Sequence, residues 1–443
     1  MMIAADQNNS WLEHHQTCEL IGADLPWLTL QRKAALEHFE HVGLPGVRDE
    51  QWRYTNLRAL KNKAYSLSVP NTLNIELPPS DNPRLVFVDG HLDVSASTGL
   101  SNKNGDQITI AGLSDALSLD MVSQAFGSTL AKQQHGFTAL NTAFAQDGYA
   151  IILPKGSVLK DVLEVFFVNQ NGSVDADNGL VSHTRNLIIA QANTKCTIVE
   201  RHIGVADTVY LNNTVTEIIA GENSHIDHTK IQQESDQAFH IGGVFIHQAA
   251  NSSVANHNIA LSGLVTRNDT NTDLLGQGAH MEMNGLVLGQ GRQHIDNHTQ
   301  VNHAVPNCTS DEFYKTILDG HSRSVFRGRI VVAQDAQLTK ADQQNNNLLM
   351  SSTAEADTKP QLEIYADDVL CSHGATVGQL DQNSIFYLNS RGIDNNSAKA
   401  LLTFAFANEV LERIKVSSVS KELTRLIAGE LLAELDDLND LDN

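Results

Sequence analysis

Four stretches decide the fold: NLIIAQANTKCTIVER (186–201), EIIAGENSHIDHTKI (217–231), VFIHQAANSSVANHNI (244–259) and DLLGQGAHMEMNGLVL (273–288). Each reads as an aliphatic strand, a corner of small and polar residues, and a second strand. The corners begin at Ala192, Gly221, Ala249 and Gly276, which lie 29, 28 and 27 residues apart. Self-similarity at that spacing signals a solenoid. With strands on both sides of each corner and no helical filler, the economical solution is a right-handed parallel β-helix whose rungs pair with one another. An aromatic content of 5% suits a narrow interior filled by Ile, Val, Leu and Ala. A β-sandwich is the alternative, but it does not require so regular a repeat.

Working outward, RLVFVDG (84–90), YAIILPKG (149–156) and LEVFFVNQNG (163–172) have the same strand texture. They place a mainly β core over 81–380, with an irregular lead-in over 81–145. The N-terminal region, 1–80, is helical in character. Asp24-Leu25-Pro26 opens a helix carrying Leu28, Leu30, Ala34, Ala35, Leu36 and Phe39, and Gly43 with Pro45-Gly46 ends it. DEQWRYTNLRAL (49–60) reads as an aromatic anchor that packs this arm onto the core. A C-terminal helical module spans 381–443. Asp394 caps a helix whose apolar residues Ala398, Leu402, Phe406, Val410 and Ile414 recur at i+4. A second helix is expected over 421–435, with Leu423, Leu426, Ile427 and Leu431 on one side, and the acidic tail DDLNDLDN (436–443) is expected to fray. Such a module is either a cap for the solenoid or a docking surface.

Composition excludes several classes. A formal net charge of −22 over 443 residues gives no basic surplus to neutralise phosphates or anionic lipid. No apolar run reaches membrane-spanning length, and MMIAADQNNS (1–10) does not resemble an export signal. Cys18, Cys196, Cys308 and Cys371 are scattered without a CxxC pair, so reduced thiols in a cytoplasmic protein are expected. There is no GxxxxGK[ST] phosphate loop and no GxSxG elbow, so the chain is neither an ATPase of that type nor such a hydrolase. His202, His225, His228, His257, His294, His298 and His303 form no HExxH-like pattern, and most are expected in outward-facing structural ladders.

The chemistry concentrates in KPQLEIYADDVLCSHGATVGQLDQNSIFYLNSRG (359–392). Cys371 and His373 stand two apart in an extended run and leave the same face, and thiolate and imidazole suit iron, zinc or copper. On simple alternation Leu362, Ile364, Ala366 and Leu370 face inward, and Cys371 and His373 outward. A corner at Asp367-Asp368 would invert that register.

This segment resembles the SufB/SufD family of iron–sulfur cluster assembly proteins, in which KPQLEIYADDV-x-CSHGAT followed by FYL-x-SRGI marks the SufD branch. HIDNHTQVNHAVPNCTSDEFYKTILDG (294–320) and FRGRIVVAQDAQLTKADQQNNNLLMSS (326–352) resemble the same family core. The scaffold thiol of the SufB branch has no counterpart in Asn345-Asn346-Asn347-Leu348-Leu349, and Ser372-His373-Gly374 replaces that branch's Glu-His-Glu. Leu370 stands where many relatives carry lysine, and Cys308 inherits no ligand role. The resemblance implies a non-catalytic scaffold that pairs with a SufB-like paralogue and docks a SufC-like ABC ATPase. It implies a transient iron–sulfur cluster at the junction, touched by His373 and less firmly by Cys371, and no permanently bound cofactor. ATPase contact is implied for Arg391, Gly392, Leu402, Phe406 and Val410, and a homodimer of the isolated chain is left open. The rivals are a carbohydrate-active β-helix enzyme, which would need an acidic cluster in a basic or aromatic groove, and a purely structural solenoid.

Overall fold

The computed structural model describes residues 20–100, 107–130, 135–171 and 178–441, with side chains through 429; Cys18 and the extreme termini lie outside it. Strands alternate between two ten-stranded sheets. One runs Tyr149–Leu153, Asn178–Ala190, Tyr210–Ala220, Phe239–Gln248, Val265–Leu274, His294–His303, Arg323–Val332 and Glu355–Ile364. The other runs Leu163–Asn169, Lys195–Gly204, His225–Gln233, Ser253–Ala260, His280–Gly289, Thr309–Leu318, Lys340–Leu349 and Leu370–Gly378. Every neighbouring pair in these two series is parallel, and the result is the expected mainly β solenoid, of about 7 turns. The lead-in is more regular than its sequence suggests, because Arg84–Val88 already pairs in parallel with Leu163–Asn169.

The repeat works through its corners. Asn193, Asn223, Asn251 and Asn307 occupy equivalent turns with φ between 54 and 61°. Asparagine tolerates this left-handed conformation better than branched residues do. Each turn also hands its backbone to the next rung: Asn193 N–H donates to Glu222 O and Asn223 N–H to Ala250 O, at 2.8 and 2.9 Å.

The interior has two halves. Ile188, Ile198, Ile226, Val254, Met281 and Ile330 fill an apolar half. Further along the same strands the inward positions turn polar: Glu200, His202, Lys230, His240, Asn268, Glu312 and Gln343, all buried. Three of the seven histidines expected mostly in outward-facing ladders therefore lie inside, whereas His225, His257, His294 and His298 have the outward parity. His202, His228 and His303 share the parity of Ile198, Ile226 and Val301 and therefore face the interior, where each is almost wholly buried. His257 is buried on the opposite face, near Asp227, and His225 alone of the seven is exposed.

Both outer faces are covered. The helices Pro26–Val42 and Gly136–Phe144 bring Phe39, Phe137 and Phe144 onto Leu211, Phe239, Ile241 and Val265 of the first sheet. Trp52 is buried in this layer with the Arg267 guanidinium 4.1 Å from its ring, and Arg267 is held by Asp296 at 2.7 Å and Asp269 at 2.9 Å. The aromatic-anchor reading of 49–60 is therefore what the structure contains. On the second sheet, Val199, Ile231, Ile259, Leu286 and Phe313 meet Ala407, Val410, Leu411, Leu423 and Ile427 of the C-terminal helices Asn395–Leu411 and Ser417–Leu441, and Ile414 of the turn between them. Arg201, nearly buried, forks onto Glu422 with two 2.7 Å bonds and ties the last helix to the solenoid.

The two ends of the solenoid differ. At its start the sheets finish in short antiparallel pieces, His91–Leu92 against Arg84–Val88 and Thr109–Gly112 against Tyr149–Leu153. At the other end Glu355–Ile364 and Leu370–Gly378 are the last strands of their sheets, with no further strand of the described chain beyond them.

Candidate functional site

That bare end carries the residues the sequence singled out. Ala341 and Gln343 face inward, and Cys371 and His373 stand directly opposite them in the register of the last strand. Cys371 is consequently half-buried against the apolar core and Leu370 is 70% exposed, which reverses the inward placement expected for Leu370. The cause is the corner at 365–369, which inverts the alternation between Ile364 and Leu370. Leu362 keeps its inward place against the core and Ala366 is buried at the corner, whereas Ile364, opposite the inward Val332, is 39% exposed because no rung covers it.

His373 is exposed even though it has the inward parity, for the same reason: the rung above it is missing. Its imidazole is thus presented at the mouth of the solenoid, over the buried Gln343. The Cys371 thiol is pushed up from its ordinary value, chiefly by burial, so at neutral pH it is a thiol rather than a thiolate. The imidazole is the more available donor of the two.

Both terminal strands are fixed from outside. Ser372 Oγ donates to Asp342, and Thr376 Oγ1 to Asn346 Oδ1 at 2.9 Å. Arg329 forks onto Glu363 at 2.8 and 2.7 Å. Pro360 lies in the edge strand opposite Gly328, a position where a missing N–H is tolerated. Exposed Ile364, Tyr365, Leu370 and Val377 surround the mouth. Apolar side chains clustered at an unpaired sheet edge mark a surface suited to association.

A second surface lies on the C-terminal module. Asp381 caps the short helix Gln382–Ser390, and Gly392, at φ +86°, turns the chain into the helix capped by Asp394. A groove between these two helices is lined by Asp381, Ser384, Tyr387, Leu388, Leu401 and Leu402. Arg391 is exposed and lies 5.1 Å from the Tyr387 ring, and Leu402 and Phe406 are half-buried. Phe406 sits 4.1 Å from the Lys315 ammonium of the solenoid, and Val410 is completely buried within the chain's own core. Among the described residues, Phe386, Tyr387 and Leu401 are the large apolar side chains this module leaves in solvent, at 74, 57 and 50% exposure. Sequence periodicity did not reveal them, because an i+4 stripe marks the buried face rather than the spare one.

A two-sheet parallel solenoid with a bare end, a histidine at its mouth and an appended helical module defines the structural class of this protein, a mainly β solenoid with helices at both termini. Two family models cover the chain: the SufBD core domain of the SUF system for FeS cluster assembly over residues 171–406, and the SufBD N-terminal region over 8–165. The chain belongs to the SufBD family of iron–sulfur cluster assembly proteins. It is 31% identical to the iron–sulfur cluster assembly protein SufD of Escherichia coli, over 90% of this chain and 92% of the relative. A Synechocystis iron–sulfur cluster assembly SufBD family protein is also 31% identical, over 92% of each chain. The chloroplastic protein ABCI7 of Arabidopsis thaliana is 26% identical over 90% of this chain and 85% of its own.

Proposed function

We propose that the chain is the SufD-type, non-catalytic scaffold subunit of a cytoplasmic SUF assembly complex. Its bare end pairs with a SufB-like paralogue, and its C-terminal module docks a SufC-like ATPase. At the junction His373, with Cys371 as the lesser donor, helps hold an iron–sulfur cluster that is cargo rather than resident cofactor. The observation that carries this reading is the asymmetry of the solenoid: one end finished by antiparallel strands, the other left open with a donor histidine and exposed Leu370, Tyr365 and Val377 around it.

Unpaired backbone groups of two edge strands supply affinity to an incoming strand pair, and the apolar rim excludes water from the junction. A neutral imidazole ligates iron without the proton release a thiol requires, which suits a cluster that must leave. Sites on packed strands hold a ligand precisely, whereas the ATPase contacts around Arg391, Gly392, Leu402, Phe406 and the exposed Phe386 and Leu401 lie on a helical module clamped to the same solenoid. Movement of the docked ATPase is therefore passed to the junction through packed elements.

Co-purification with SufB-like and SufC-like partners tests the arrangement. Leu370→Asp with Val377→Asp should abolish capture of the paralogue while leaving the melting temperature within a few degrees of the parent. Full capture by this double variant would remove the bare end from the interface.

A further inference from the structure

The polar half of the interior holds a group of side chains that the junction does not use. His202, Glu234 and His240 each offer a donor atom, and these atoms lie within 4.8 Å of one another. All three residues are at least 95% buried. His202 comes from the strand Lys195–Gly204, His240 from the facing sheet and Glu234 from the turn after Gln233, so the group bridges the two walls of the solenoid. The ring of His202 stacks on Phe167, with centroids 4.8 Å apart, and stands edge-on to His240 at 4.9 Å.

Its hydrogen bonding is incomplete. Neither ring nitrogen of His202 has a hydrogen-bond partner, and the nearest carboxylate oxygen, Glu200 Oε2, is 3.6 Å from Nε2. His240 Nδ1 lies 2.9 Å from Glu234 Oε2 but outside hydrogen-bond geometry. Native interiors leave few such atoms unpaired, and each one calls for a partner. Two imidazoles and one carboxylate with open positions form a donor set suited to zinc or ferrous iron. Burial holds both imidazoles below their ordinary pKa, and therefore in the neutral form that binds metal. The remaining Glu234 oxygen is oriented by Asn212, as an outer partner orients a ligand.

We propose that His202, Glu234 and His240 bind one divalent transition-metal ion, Fe(II) or Zn(II), inside the solenoid. Lys230 opposes it. Metal on His240 Nδ1 leaves the imidazole proton on Nε2, which faces Lys230 Nζ at 2.7 Å, so the ammonium has to give up that contact and keep only its existing bond to Asn268 Oδ1 at 2.9 Å. Removing that ammonium strengthens the site while leaving all three ligands in place.

The full-length chain, freed of metal, is titrated without oxygen with Fe(II) alone and with Zn(II) alone, and bound metal is counted by elemental analysis after equilibrium dialysis. The expected result is one retained equivalent of at least one of the two ions. Affinity should fall at least tenfold in Glu234→Gln and His202→Ala and rise in Lys230→Met. His373→Ala should keep the equivalent, which separates this site from the one at the mouth. The proposal is overturned if the parent chain retains no equivalent of either ion, whatever Lys230→Met binds. It is equally overturned if the retained metal persists unchanged in both ligand variants. Because Lys230→Met leaves the ligands intact, misfolding of a ligand variant does not decide the outcome.

Discussion

Glu312 shows how strongly the interior controls a single side chain. It is fully buried, accepts from Thr299 Oγ1 at 2.6 Å and Gln343 Nε2 at 2.9 Å, and has its pKa raised from 4.5 to about 7, first by burial. A carboxyl raised in the folded state stabilises most below the unfolded value, and that contribution is lost as pH climbs from about 4.5 to about 7. Glu312→Gln keeps an acceptor for both donors and cannot ionise. The variant should therefore gain on the parent by up to about 3 kcal/mol between pH 4.5 and pH 8, read from urea midpoints at the two values. A constant difference across that range would show that Glu312 does not titrate in the fold. At this scale the sequence was partly legible. Cys371 and His373 were picked out by chemistry and spacing, but their facing was not, because alternation holds only within a strand. The first three corners (191–194, 221–224 and 249–252) use four residues and preserve parity, whereas 275–279, 304–308 and 365–369 use five and reverse it. Comparing corner lengths would have revealed the reversal. The interior triad left no such trace, since His202, Glu234 and His240 come from separate strands and turns and share no motif.

At the scale of elements, the helix Asn395–Leu411 separates burial from availability. Ala398, Ala407, Val410 and Leu411 are covered by the chain itself, whereas Leu401 and the neighbouring Phe386 are exposed. Val410→Asp buries an unpaired carboxylate and should destabilise the module by several kcal/mol. Phe386→Asp with Leu401→Asp should leave the melting curve near the parent's and weaken capture of the ATPase at least tenfold. Thermal melts beside a pull-down separate the two effects, and undiminished capture by the surface variant would move the docking site elsewhere. The sequence announced the helix Asn395–Leu411 with its Asp394 cap through the i+4 stripe, and a second helix within Ser417–Leu441. It did not announce that the stripe lies on the solenoid's own second sheet, because amphipathicity fixes a buried face without naming what buries it.

At the scale of the molecule, the solenoid has helices over both faces and, among the described residues, a bare end at Glu355–Ile364 and Leu370–Gly378. Each rung packs on its neighbours in the stack, and the forked Arg201–Glu422 pair clamps the C-terminal module to the same solenoid. The repeat at 192, 221, 249 and 276 was sufficient to infer this architecture; the finished start and unfinished end required the strand pairings. The central claim is that the unfinished end presents His373 to a cluster assembled with the paralogue. It is tested most directly by reconstituting iron and sulfide without oxygen in the three-component complex carrying His373→Ala, and measuring cluster yield by absorption and iron content. With the complex intact by size-exclusion chromatography, the yield should fall at least tenfold while His225→Ala stays at the parent level. A normal yield from an intact His373→Ala complex would contradict the ligand role and leave the chain as architecture alone.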